Sequence, residues 1–240
     1  MLHHRDRELG MLYMGARERA RAALHKMMMG QPVHIGFVGG SVTEGVGSVF
    51  PWQSWPNRLV SQLVQVFAND NITFFNAAKG ATNSNFAATC THDIVKNDTD
   101  LVFVEYSIND AVRVVSGEEK QQLLQRKSFE VLIRRLLTMP SRPAVVVFSA
   151  CRWGDPVTAD PEYQGNFLLN AETDFLEWGL YYHTSALSCR AAAFQQMLAG
   201  APGFKTDNCV GRERASFIDV PDDVFFLGDC THPYGPTGHN

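Results

Sequence analysis

The chain has 240 residues, 45% hydrophobic and 19% charged, with 19 Gly and 11 Pro; this excludes collagen-like, low-complexity and wholly disordered chains and suits one compact α/β domain. Its 21 Lys and Arg against 25 Asp and Glu give a net charge of −4, without the basic excess that a phosphate backbone demands, so nucleic acid is not an expected partner. No apolar run approaches the roughly 20 residues of a membrane helix, and the N-terminal stretch mixes Arg, Glu and His without the apolar core of a secretory leader.

In chain order, residues 6–29 alternate charge with Leu, Met and Ala, contain no Pro, and are expected to form one exposed amphipathic helix. Gly30-Gln31-Pro32 ends it, and residues 1–30 are read as a helical extension preceding a domain over 31–240. Val33 to Val38 is the first expected strand, followed by Gly39-Gly40-Ser41. Trp55 to Phe67 carries Leu59, Val60, Leu63 and Val64 at helical spacing, and Ile72 to Phe75 follows the Asn69-Asp70-Asn71 turn as a second strand.

A helix from Asn83 to Lys96 leads to a third strand, Leu101 to Tyr106. Glu118 to Met139 is expected to be helical up to Pro140, and Ala144 to Phe148 is apolar enough for a strand buried on both faces. Residues 151–170 are loop-like, Ala171 to Leu198 is mostly helical with a break near Gly179, and Phe217 to Val220 is the fifth expected strand. Strands alternating with helices predict an α/β fold, a three-layer αβα sandwich around a mostly parallel five-stranded sheet.

Five cysteines, Cys90, Cys151, Cys189, Cys209 and Cys230, include no CxxC pair, so neither a zinc ribbon nor a thioredoxin-type site is expected. Cys209 and Cys230 are either a disulfide in an oxidising compartment or buried free thiols. The sequons at Asn71 and Asn97 favour the secretory pathway or cell exterior, whereas the odd cysteine count and missing leader favour the cytosol.

Ligands of such sheets bind at the carboxyl ends of the strands, and the polar residues of this chain gather there. Gly39-Gly40-Ser41-Val42-Thr43-Glu44-Gly45 follows the first strand, Asn76 to Thr82 the second and Ser107-Ile108-Asn109-Asp110 the third, while Asp229-Cys230-Thr231-His232-Pro233 stands near the C-terminus. A serine hydroxyl needs a neighbouring base to become a nucleophile, and His232 suits that task. Asp229 can accept from the other imidazole nitrogen and hold the tautomer. The backbone N–H groups of Ser41 and Gly80 and the Asn109 amide are candidate donors to a developing oxyanion. Asp110 and His239 are read as structural, and no cofactor or metal is called for by any cluster of ligands. The phosphate-binding G-x-x-x-x-G-K-[ST] and G-x-G-x-x-G patterns and the G-x-S-x-G elbow are absent.

Four blocks carrying Ser41, Gly80, Asn109 and His232 in this order resemble the SGNH hydrolase superfamily, the GDSL esterases and lipases, from about residue 33 onward. The resemblance implies the flavodoxin-like SGNH hydrolase fold and a serine esterase with a Ser41–His232–Asp229 triad and an oxyanion hole from Ser41, Gly80 and Asn109. The chain departs from the pattern in Gly40, where the family has Asp, and in Ser107, where many members have Gly. Members usually continue into a final helix after the His-Pro block, so a truncated helix is expected here. Trp52, Trp55, Arg113, Arg152, Trp153, Tyr163 and Asn166 mix aromatic and polar groups in the expected rim loops. Of these, Trp52, Trp153 and Arg152 are the candidate substrate-binding residues, and packing against the core is an equal reading for Trp52 and Trp55. The expected substrate is a small-molecule or polysaccharide ester, foremost an acetyl ester on a carbohydrate. A lysophospholipase or short-chain esterase, a sugar O-acetyltransferase, and a non-catalytic glycan-binding domain are the alternatives.

Overall fold

The computed structural model describes residues 2–110, 119–153, 170–209 and 223–239. Six strands form one sheet in the order β1-β6-β5-β4-β2-β3: β1 (Met11–Tyr13), β2 (Val33–Gly39), β3 (Ile72–Asn76), β4 (Leu101–Glu105), β5 (Ala144–Ser149) and β6 (Ser185–Ser188). All pairs are parallel except β1 with β6, which is antiparallel. The helices are α1 (His4–Leu9), α2 (Arg17–Met28), α3 (Ser41–Glu44), α4 (Trp55–Phe67), α5 (Ser84–Ile94), α6 (Glu119–Leu137), α7 (Glu172–Tyr182) and α8 (Cys189–Leu198).

Strand alternation feeds both faces of the sheet. Val102 and Val104 of β4 and Val145 and Val147 of β5 point to a core closed by Ala87, Phe129, Leu132, Leu136 and Phe175 from α5, α6 and α7. Phe103 of β4 and Ile35 and Phe37 of β2 point the other way, against Met27 of α2 and Val60 of α4. Phe37 stacks on Phe103 at 5.2 Å and meets the edge of Trp55 at 5.1 Å. No helix among the described residues is long and apolar enough to cross a membrane.

Three sequence expectations change. Residues 6–29 are not one helix: α1, the edge strand β1 and α2 replace it, and β1 extends the sheet. The cause is Gly15, whose φ of +64° lets the chain turn where a Cβ would lie 2.5 Å from the His183 carbonyl oxygen. The sheet accordingly has six strands rather than five. The segment 171–198 contains β6 between two helices, and the break falls at His183 in the left-handed region (φ +54°) instead of at Gly179. The strand expected at Phe217 to Val220 lies outside the described residues. Among the cysteines, Cys151 and Cys189 form a disulfide, while Cys209 and Cys230 are free thiols, with the Cys230 thiol donating to the Cys209 carbonyl at 3.1 Å.

Candidate active site

The sheet order reverses about β2, which has β3 on one side and β4 on the other, so the loops after these three strands diverge from one crevice. β2 runs into α3, whose first residue is Ser41. Two glycines make this junction possible. A Cβ at Gly39 would lie 2.7 Å from the Glu105 carbonyl oxygen, and one at Gly40 would lie 2.8 Å from Asn109 Nδ2. In this chain a side chain at Gly40 would require the Asn109 amide to shift.

The loop after β3 runs back along β2. Ala77 donates to the Phe37 carbonyl at 2.9 Å and Lys79 to the Gly39 carbonyl at 3.0 Å, while Asn76 Nδ2 donates to the Thr43 carbonyl at 2.8 Å. These bonds bring Gly80 beside Ser41, where a Cβ would lie 3.7 Å from Ser41 Cβ. After β4, Asn109 Nδ2 donates to the Thr82 carbonyl at 2.6 Å and Ser84 N–H donates to Asp110 Oδ1 at 2.9 Å, fastening the two loops together.

His232 arrives from the C-terminal segment. Ser41 Oγ lies 2.7 Å from His232 Nε2, and His232 Nδ1 lies 2.5 Å from Asp229 Oδ2. The second Asp229 oxygen accepts the backbone N–H groups of Thr231 and His232, each at 3.0 Å. Burial raises the Asp229 carboxyl, but its hydrogen bonds with the His232 ring and backbone outweigh that and hold it below its ordinary value. The segment is pinned to the Ser41 loop by Gly235 N–H on the Gly47 carbonyl at 2.9 Å and by His239 Nε2 against the Val46 carbonyl at 3.2 Å. His239 is buried and its pKa is lowered to about 4, burial being the main cause.

Gly80 and Asn109 thus both stand at the Ser41 turn, with their donors engaged inside the protein. The Gly80 N–H donates to Glu44 Oε2 at 2.8 Å, a contact that residue types alone did not reveal; the only clue was Glu44 lying within the Ser41 block. Trp55 belongs to the core, against Phe37, Phe103 and Phe148. Trp52 is 62% exposed and stacks on Phe50 at 5.9 Å, on the loop that continues from α3. Trp153 donates its backbone N–H to the Cys230 carbonyl at 2.9 Å, beside the His232 turn, and half-buried Arg152 precedes it. Arg113, Tyr163 and Asn166 lie outside the described residues.

The family of GDSL-like lipases and acylhydrolases matches residues 37–207. The chain belongs to that family. No curated protein sequence matches it. Among solved structures, this GDSL-family chain is similar to a two-domain esterase active on acetylated mannans, co-crystallised with mannopentaose (TM-score 0.70, 22% identity), covering 97% of this chain and 52% of that one. It therefore spans about half the length of that esterase. An acetylxylan esterase from Geobacillus stearothermophilus, solved as a catalytic mutant, has TM-score 0.56 and 13% identity over 86% of this chain and 89% of that one. The acetyl xylan esterase AlAXEase has TM-score 0.54 and 15% identity over 70% and 82%. At these identities the likeness is one of fold.

Proposed function

We propose that the protein is a serine esterase that removes acetyl groups from a carbohydrate through an acyl-enzyme on Ser41. The observation that carries this reading is the line Ser41 Oγ, His232, Asp229, at 2.7 and 2.5 Å. His232 takes the Ser41 proton as Oγ attacks the ester carbonyl, then returns it to the departing sugar hydroxyl; Asp229 orients the ring and stabilises the imidazolium. Water repeats the sequence in reverse and releases acetate.

The tetrahedral oxyanion is received by the Ser41 and Gly80 N–H groups and the Asn109 amide, each such donor worth about 3–4 kcal/mol where removed in other enzymes. For Gly80 this requires exchange: the substrate oxygen takes the place of Glu44 Oε2. Asn109 keeps one amide hydrogen on Thr82 and has a second to give.

The carbohydrate half of the reading is supported by the mannan and xylan esterases that share the fold and by the exposed Trp52–Phe50 stack, a flat apolar surface of the kind sugar rings cover. Steady-state hydrolysis of p-nitrophenyl acetate and octanoate by the wild type and Ser41→Ala tests the nucleophile and the acetyl preference. Acetate turnover that disappears in Ser41→Ala and falls steeply for octanoate is expected. Octanoate turnover equal to acetate would exclude the acetyl preference, and turnover that survives in Ser41→Ala would exclude the nucleophile.

A further inference from the structure

We propose that Glu105 is held in the fold as a neutral carboxylic acid and acts as a positioning residue, locking the Ser41 turn to the Asn109 turn from beneath without touching substrate. The inference rests on the reading of Ser41 as nucleophile. Glu105 is the last residue of β4 and only 1% exposed. Its backbone carbonyl accepts the Gly40 N–H at 3.2 Å. Its side chain meets Thr43 of α3 through Oε2 (3.1 Å) and Ser107, two residues before Asn109, through Oε1 (3.5 Å). One carboxyl therefore touches two of the three turns that carry the candidate oxyanion donors, those of Ser41 and Asn109.

Counting protons supports the neutral form. A hydroxyl has one proton to give. Thr43 gives its own to Oε2, and the Ser107 hydroxyl has a closer acceptor in the Ala150 carbonyl at 3.1 Å. Oε1 then faces a Ser107 lone pair. An ionised Glu105 would set negative charge against it, in a site buried from solvent; a protonated Glu105 donates from Oε1 and completes the chain Thr43→Glu105→Ser107→Ala150. Among the described residues no cation acts on the Glu105 carboxyl. Asp110, itself buried and raised to about 6, is the charged neighbour that acts on Glu105, and it repels; Tyr106, the other titratable neighbour, is held neutral by burial. Burial, the largest cause, raises Glu105 to about 7, against the opposing hydrogen bonds of Thr43, Gly40 and Ser107.

Glutamine reproduces this donor–acceptor pattern and leucine does not. The test compares Glu105→Gln and Glu105→Leu with the wild type, all as the full chain. Infrared difference spectra at pH 6 should show an unionised carboxylic acid band in the wild type that Glu105→Gln lacks. With p-nitrophenyl acetate, Glu105→Gln should keep kcat within about 3-fold, whereas Glu105→Leu should lose about 30-fold or more in kcat with KM little changed. An absent band, or a Gln variant as impaired as the Leu variant, would overturn the proposal. The band is read without substrate, so it stands or falls separately from the esterase reading. Should Glu105→Leu fail to fold, the band and the Gln variant still decide.

Discussion

At the scale of single residues, the account turns on where protons and lone pairs go. Asp229→Asn would leave the shape of the triad but present an amide to His232 Nδ1, favouring the wrong tautomer. A drop of about 10⁴ in kcat is expected by analogy with serine proteases, with KM little changed. Glu44 competes for the Gly80 N–H, so Glu44→Gln, a weaker acceptor, should label faster with a fluorophosphonate than the wild type; slower labelling would make Glu44 a support of the loop instead. Ser41, Asp229 and His232 were legible in the sequence because nucleophile, base and orienter are distinct chemical types in short blocks. Glu44 and Glu105 were not, since a carboxylate at the end of a strand or helix is normally solvated. Only the close approach of Gly80 and the burial under Gly39-Gly40 give them partners.

Among the elements, β2, β3, β4, β5, α4 and α5 lie within a residue or two of where hydrophobic periodicity places them, each being long and evenly patterned. The errors fall on short elements. β1 and β6 have three and four residues, too few for a period, and both sit beside helical patterns that absorb them. What defines them is the distant pairing of Met11 with Leu187 and Tyr13 with Ala186 and the left-handed turns at Gly15 and His183. Gly15→Ala should therefore cost about 2 kcal/mol or more by strain and by its clash with His183, read as a fall in denaturant midpoint. Cys151 and Cys189 join the end of β5 to the start of α8 over a separation of 38 residues. By the chain-entropy model such a loop is worth about 4 kcal/mol, so reduction of the disulfide should lower the melting temperature clearly. An unchanged melting temperature would show the bond contributes little.

For the whole molecule, the buried titratable groups around the site pull stability in opposite directions with pH. Glu105 and Asp110 have raised pKa values, about 7 and 6; their contribution is full below their unfolded values and is lost as pH rises through the folded ones. His239 is lowered to about 4; its contribution is full above about 6.5 and is lost as pH falls toward 4. Single shifts of this size correspond to about 3 kcal/mol, and between pH 4.5 and 6 two carboxyls stand against one imidazole, so the balance is a net gain of stability on acidification. Denaturant midpoints should then rise on acidification from pH 6.5 to 4.5 in the wild type, stay nearly flat in Glu105→Gln, and rise more steeply in His239→Gln. Parallel curves for all three would remove these groups from the pH response.

The central claim is that Ser41 is an activated nucleophile, and covalent labelling reads this most directly. Treatment of the full chain with a fluorophosphonate followed by peptide mass spectrometry should place one phosphonyl group on Ser41, with His232→Ala losing the adduct. No adduct on Ser41 in the wild type, or labelling unaffected by His232→Ala, would contradict it.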